Sequence, residues 1–181
     1  MHPRWSFFRT ALKNFRSTGA IASSSPALVK KLIAPLPADR AVRIVELGPG
    51  DGSVTRAILE RISSDSELTA FEINPDFVEV LRAVEDTRLT VLPVGAEQLQ
   101  DYFAEGTVDY VISSLPLSMI PKAVKGEILR QAQAVLTPAG SFHQYQYALQ
   151  DHSLLKGYFN RVSVSFTMAN LPPAFIYTCF G

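Results

Sequence analysis

The sequence predicts an α/β fold: a doubly wound, mostly parallel sheet of seven strands, helices on both faces, and one antiparallel strand. Three observations carry this. After residue 40, short apolar runs alternate with helical patterns; a glycine-rich turn closes the first run; and the last two strand patterns are joined by only a short link. Strand–helix units with crossovers of this length build parallel sheets. A link around 169–173 is too short to cross over, so the last two strands form a hairpin and one of them runs antiparallel.

The elements follow in order. Residues 42–47 (VRIVEL) form a short apolar run, read as a buried strand. Residues 53–62 have helical spacing, with Val54, Ala57, Ile58 and Ile62 on one face. A second strand covers 68–72, and Asn74-Pro75-Asp76 signals the start of a helix over 76–84. A third strand spans 89–94, a short helix 96–103 and a fourth strand 108–113. The amphipathic helix 122–136 ends at the turn Thr137-Pro138-Ala139-Gly140, and strands over 141–147, 162–167 and 174–180 complete the sheet.

Composition limits the function classes. At 181 residues with 47% apolar and 19% charged residues, a single globular domain is expected. Cys179 is the one cysteine, so no disulfide framework or cysteine-rich metal site is expected, and a reducing compartment is. His2, His143 and His152 lack metal-ligand spacing, and no metal is expected. No apolar run reaches the roughly 18–20 residues that cross a bilayer. The net charge of zero hides a division: the stretch before Asp39 is +6, and the remainder is −6. Residues 1–38 are accordingly read as a basic amphipathic helix and loop, and 39–181 as the α/β body.

The main chemical signal is Glu46-Leu47-Gly48-Pro49-Gly50-Asp51-Gly52, at the end of the first strand. Ligands of open α/β sheets sit beyond the carboxyl ends of the strands. Gly48 and Gly50 permit a tight turn and close approach to a ligand. Glu72, ending the second strand, can accept hydrogen bonds from both ribose hydroxyls. A dinucleotide site wants G-x-G-x-x-G, but Ser53 holds the third position. An acid before the first glycine also suits a cation better than a pyrophosphate. Both points favour S-adenosylmethionine over a nicotinamide or flavin nucleotide.

The segments GAIASSSPALVKKL, ELGPGDGSVT and SSLPLSMIP together resemble the bacterial phospholipid N-methyltransferases, relatives of the rRNA adenine dimethyltransferases. The resemblance runs from about Gly19 to the end. It implies a Rossmann-like class I methyltransferase fold with an extra N-terminal helix, and an S-adenosylmethionine-dependent N-methyltransferase. It places Glu46, Gly48, Gly50 and Gly52 at the methionine end of the cofactor, Glu72 at the ribose and Ile73 on the adenine face. Where the family often shows Gly-Asp-Ala, this chain reads Gly95-Ala96-Glu97, so adenine contact falls to the Ala96 backbone or to Glu97, which equally suits a helix cap. Ser113-Ser114-Leu115-Pro116 stands where the adenine enzymes carry Asn-Leu-Pro-Tyr; Ser113 falls to the cofactor side, while Ser114 and the Leu115 carbonyl are placed to orient the acceptor amine. Tyr147 matches a family tyrosine and is assigned to the headgroup or amine. Ser24 and Ser25 are carried as cofactor neighbours in a loop where the family has Pro at the position of Ser23.

Methyl transfer from a sulfonium to an amine is an in-line displacement with a neutral leaving group. Alignment and exclusion of water supply most of the acceleration, so no catalytic triad is expected. At 100° per residue, Trp5, Phe8, Leu12 and Phe15 share one face of a helix over 3–17, bordered by Arg9, Lys13 and Arg16. These seven residues suit an interfacial helix on an anionic membrane, a lid over the cofactor site, or both. The expected partners are therefore that membrane and a phospholipid such as phosphatidylethanolamine, with the protein held peripherally at the cytoplasmic face. Nucleic acid is disfavoured, because the chain is −6 from Asp39 onward and stops after its last strand. An rRNA adenine or small-molecule amine methyltransferase and a non-catalytic cofactor-binding adaptor are the alternatives. The sequence leaves the oligomeric state open.

Overall fold

A computed structural model describes residues 24–181. In chain order the elements are α1 (Pro26–Leu32), β1 (Arg43–Leu47), α2 (Ser53–Arg61), β2 (Glu67–Phe71), α3 (Pro75–Arg82), β3 (Leu89–Leu92), α4 (Leu99–Tyr102), β4 (Val108–Ser113), α5 (Lys122–Val135), β5 (Leu136–Gln146), α6 (His152–Leu155), β6 (Arg161–Thr167) and β7 (Ala174–Phe180). The strands form one sheet in the order β3-β2-β1-β4-β5-β7-β6. The first five pair in parallel, while β7 runs antiparallel to both β5 and β6. This is the expected Rossmann-like sheet with its single reversed strand.

The period of two along each strand divides the core in two. Val45, Leu47, Val111, Phe142 and Tyr177 face a cluster that includes Leu99 of α4 and Ile128 and Leu129 of α5. Ile44, Leu68, Ile112 and Ile176 face Leu28 and Leu32 of α1 and Val54 and Ile58 of α2. Helices therefore cover both faces. β1 sits mid-sheet and is buried over four of its five residues, which is why it reads as a continuous apolar run.

Local chemistry sets several boundaries. Asn74 accepts from the Asp76 amide at the start of α3, and Pro75 occupies the first turn. Where a short helix was expected at 96–103, a 3₁₀ turn at Ala96–Gln98 precedes α4. The expected turn at 137–140 lies within β5. Val108 pairs with Leu136 and Tyr110 with Ser141, so the intervening residues bulge from the ladder. A Cβ at Gly140 would meet the Asp109 carbonyl at 2.9 Å, so the residue that signalled a turn permits a close backbone approach instead.

Candidate active site

Four strands end at one level of the sheet, and β5 passes through it two residues before its own end. Leu92, Phe71, Leu47, Ser113 and Gln144 are successive partners across β3, β2, β1, β4 and β5. The ladder continues for one further bond at three places: Glu72 N donates to Leu92 O (3.1 Å), Gly48 N to Phe71 O (3.0 Å) and Ser114 N to Leu47 O (2.9 Å). Just past this level lie Glu72, Gly48 and Ser114, beyond their strands, and Tyr145, still within β5, forming a rim at the sheet's carboxyl edge.

At the centre of the rim, Gly48, Gly50 and Gly52 have φ of 68°, 61° and 75°. Gly48 cannot be replaced cheaply: its backbone is left-handed, and a Cβ there would meet Leu115 Cδ2 at 2.6 Å. The turn is braced by Glu72, whose Oε2 accepts from Gly50 N (3.1 Å) and whose Oε1 accepts from Asn74 N (2.9 Å). The acid expected at the ribose therefore also holds the glycine turn in shape.

Glu46 is fully buried. Its Oε2 accepts from the Thr55 hydroxyl at 2.6 Å, while Oε1 has no hydrogen-bond partner. Burial pushes its pKa up to about 8, against a partial opposing effect of the Thr55 bond; the charges of Glu72 and Asp51 push the same way as burial. A buried carboxyl group with one unpartnered oxygen beside a glycine turn suits a cationic ligand, which would favour its ionised form.

On the β3 side of the rim, the chain resolves its missing aspartate in an unexpected way. A Cβ at Gly95 would overlap both carboxylate oxygens of Glu97. The Glu97 carboxyl group therefore occupies the space where a side chain at 95 would begin. Its pKa is raised, first by burial. Ala96 is buried, and Ile73 is partly buried against the same core cluster.

The β4 end carries the residues expected at the amine. Ser113 is buried, and its hydroxyl accepts from Leu115 N at 3.4 Å. The Ser114 hydroxyl is buried and without a partner. The Leu115 carbonyl accepts from Leu117 N and from Gln144 Nε2, both at 2.9 Å, so it is engaged within the protein. Gln144 was not singled out from the sequence. Its signal was available: a polar residue at an inward position of a buried strand, on the face of Phe142. Thr55 was missed in the same way, as a hydroxyl on the buried side of α2.

The alternation expected along β5 places His143 and Tyr145 on one face with Tyr147. His143 meets the Tyr110 ring at 6.2 Å, and Tyr145 meets Tyr147 at 6.0 Å. His143 is fully buried, shares a 2.7 Å bond with Ser141 Oγ, and burial lowers its pKa to about 4, so it is a neutral core residue. Tyr147 is 38% exposed, and partial burial raises its pKa.

Ser24 and Ser25 attach to the β5 end of the rim. Ser24 Oγ donates to Tyr145 OH at 3.1 Å. Ser25 caps α1 by accepting from Leu28 N, donates to Ala169 O at 2.6 Å, and is met through its amide by Asn170 Oδ1. Both hydroxyls thus tie α1 to β5 and to the β6–β7 link. Trp5, Phe8, Arg9, Leu12, Lys13, Phe15 and Arg16 lie outside the described residues. Among the described residues, no group of three or more His, Cys, Asp or Glu could hold a metal ion, and no helix is long and apolar enough to cross a membrane.

Comparison with known proteins identifies the family and the fold. Residues 44–140 match the family model described as a methyltransferase domain. The chain is 31% identical to an ornithine lipid N-methyltransferase of Singulisphaera acidiphila, over 97% of this chain and 96% of that protein. Among solved structures it resembles Burkholderia thailandensis 1,6-didemethyltoxoflavin-N1-methyltransferase, crystallised with S-adenosylhomocysteine (TM-score 0.71, 17% identity, 97% of this chain and 85% of that one). It also resembles precorrin-6y C5,15-methyltransferase of Geobacter metallireducens (TM-score 0.69, 14% identity, 85% and 87%). The chain belongs to the methyltransferase domain family and is a class I, S-adenosylmethionine-dependent methyltransferase.

Proposed function

We propose that this enzyme transfers methyl groups to the amine headgroup of a membrane lipid. The observation that carries the reading is the match, over nearly the whole of both chains, to an ornithine lipid N-methyltransferase. An ornithine headgroup and the ethanolamine of a phospholipid share the feature that matters chemically, a primary amine on an acyl-anchored molecule. The phospholipid expected from the sequence and the relative's ornithine lipid are therefore two members of one acceptor class.

S-adenosylmethionine supplies an electrophilic methyl group on a sulfonium. The chain's own part is to bind, align and exclude water. In this reading Glu46 receives the cofactor's cationic end, the Gly48–Gly52 turn admits its backbone, Glu72 holds the ribose, and Ile73, Ala96 and Glu97 hold the adenine. Ser113 walls the cofactor side, and Ser24 and Ser25 fix the loop beside it. The Ser114 hydroxyl accepts a hydrogen bond from the incoming amine as positive charge moves to nitrogen. Leu115 shapes the turn through Gly48 and Gln144, and Tyr147 meets the headgroup. Residues 3–17 and an anionic membrane surface would bring enzyme and lipid together at the cytoplasmic face.

Mass spectrometry of lipids after incubation with S-adenosylmethionine tests the reading. Vesicles containing ornithine lipid or phosphatidylethanolamine should yield products heavier by one methylene per transfer. Unmodified lipid from both vesicle types, with a soluble amine methylated instead, would overturn it.

A further inference from the structure

The acidic residues all fall between Asp39 and Asp151, so 1–38 and 152–181 contain no Asp or Glu. The fold brings the described parts of these two stretches together. Leu28 and Leu32 of α1 share a core cluster with Ala174 and Ile176 of β7. Ser25 bonds to Ala169 and Asn170, and the Lys31 ammonium donates to the Phe166 carbonyl. One corner of the molecule is thus assembled from segments without a negative side chain, and it carries Lys30 and Lys31 in the last turn of α1.

The same corner exposes apolar side chains. β6 is one of the sheet's two edge strands. Val164 and Phe166 are 40% and 46% exposed, and in the link to β7 Met168 and Leu171 are 79% and 85% exposed. Phe166 packs against Phe175 across the hairpin, with ring centroids 5.0 Å apart, so the patch has a fixed base. Its position is set by strand direction. Gln146, the last residue of β5, pairs with Phe175, and Thr167 pairs with Ala174, so the link points to the carboxyl end of the sheet. That is the end that carries Gly48, Glu72 and Ser114.

We propose that the β6–β7 hairpin tip, with Phe166, Met168 and Leu171, inserts into an anionic lipid bilayer while Lys30 and Lys31 meet the headgroup phosphates. Apolar side chains at a tip gain by leaving water for the acyl boundary, and the basic residues beside them are attracted to a negative surface. The Lys31 ammonium has three donors, so its bond to Phe166 leaves others for phosphate. The hairpin tip and α1 carry no acidic residue of their own, which lessens repulsion from an anionic surface; Glu60 of α2 is the acid that lies near Lys30, with Arg61 beside it. Docking in this pose turns the carboxyl rim toward the membrane. β4 lies three strands from β6, so the Ser114 end of the rim is about 14 Å across the sheet from the inserted tip. The proposal rests on the lipid reading for what the docked enzyme does, and on the surface alone for the docking.

Co-sedimentation of the full chain with vesicles tests it, using phosphatidylcholine alone and phosphatidylcholine mixed with phosphatidylglycerol. Wild type should bind the mixed vesicles, and added salt should weaken binding. The Met168→Ser/Leu171→Ser double variant, which removes apolar surface without adding charge, should bind at least about tenfold more weakly. Its melting temperature and cofactor affinity should be unchanged. In a Met168→Cys variant carrying an environment-sensitive fluorophore, emission should rise on the mixed vesicles; Cys179 is buried and does not compete for label. Equal binding by wild type and the double serine variant overturns the inference, as does a shift from dimer to monomer on that substitution in sedimentation velocity. Tip-dependent docking without methyl transfer to any lipid overturns the functional reading and supports the docking surface.

Discussion

Glu46 and Thr55 meet at 2.6 Å between β1 and α2, and the bond uses one oxygen of a carboxyl group that has no other partner in the protein. The pair leaves a buried acid with one oxygen bonded to Thr55 and the other without a hydrogen-bond partner. With its pKa pushed up to about 8 in the folded chain against an ordinary 4.5, the folded state keeps a proton that the unfolded state releases across that window. The stability associated with protonated Glu46 is therefore fully present below pH 4.5 and declines as pH rises toward 8.

The Glu46→Gln variant removes this dependence. Thermal melts should show it more stable than wild type at pH 8, by on the order of a few kcal/mol, with a smaller difference at pH 5. Its affinity for S-adenosylmethionine should fall by at least tenfold. Calorimetry of wild type at pH 7 in buffers of different ionisation enthalpy should show a proton released on binding.

Glu72 joins two backbone amides, one in the glycine turn after β1 and one in its own loop before α3. Glu72→Ala leaves the Gly50 and Asn74 amides without that acceptor, costing about 1–3 kcal/mol. Cofactor affinity should drop by more than tenfold. Glu72→Gln retains acceptor capacity and should keep more of both, read by melting temperature and titration.

The Gly95–Glu97 contact gives a double-mutant cycle. Gly95→Ala forces the Glu97 carboxyl group aside and should destabilise by about 1–3 kcal/mol. In a Glu97→Ala background the same change should cost much less. Equal costs in the two backgrounds would show that the contact does not constrain position 95. Glu97→Ala alone should weaken cofactor binding.

Ser114→Ala should lower kcat by about tenfold while leaving cofactor affinity within twofold, as expected for a hydrogen bond made to the reacting amine. Tyr147→Phe should raise KM for lipid. A variant at Tyr147 with full activity would remove its assignment to the headgroup.

The sheet was legible because β1 and β4 are mid-sheet and buried, so their largely apolar runs survive any choice of neighbours, while β5 showed through its alternation and aromatic residues. β7 and β6 were legible as a hairpin from the length of the link alone. The segment 137–140 was misread because Pro138 and Gly140 punctuate a bulge as readily as a turn, and only the pairing of β5 with β4 separates the two. The α6 helix was missed because four residues carry no periodicity. At the site, Glu46, the glycines and Glu72 could be named from their place at strand ends. Gln144 and Thr55 carried a weaker signal, a polar side chain at an inward position, but their partners Leu115 and Glu46 follow only from the fold; the Glu97 carboxyl group packed over Gly95 depends on a side-chain direction that spacing does not encode.

The most direct test is transfer of a radiolabelled methyl group, with vesicles of an amine lipid and rRNA offered together. Label is expected in the lipid extract, with little in RNA, and the lipid signal should be lost with Glu46→Gln. Label in RNA with none in lipid would contradict the lipid reading.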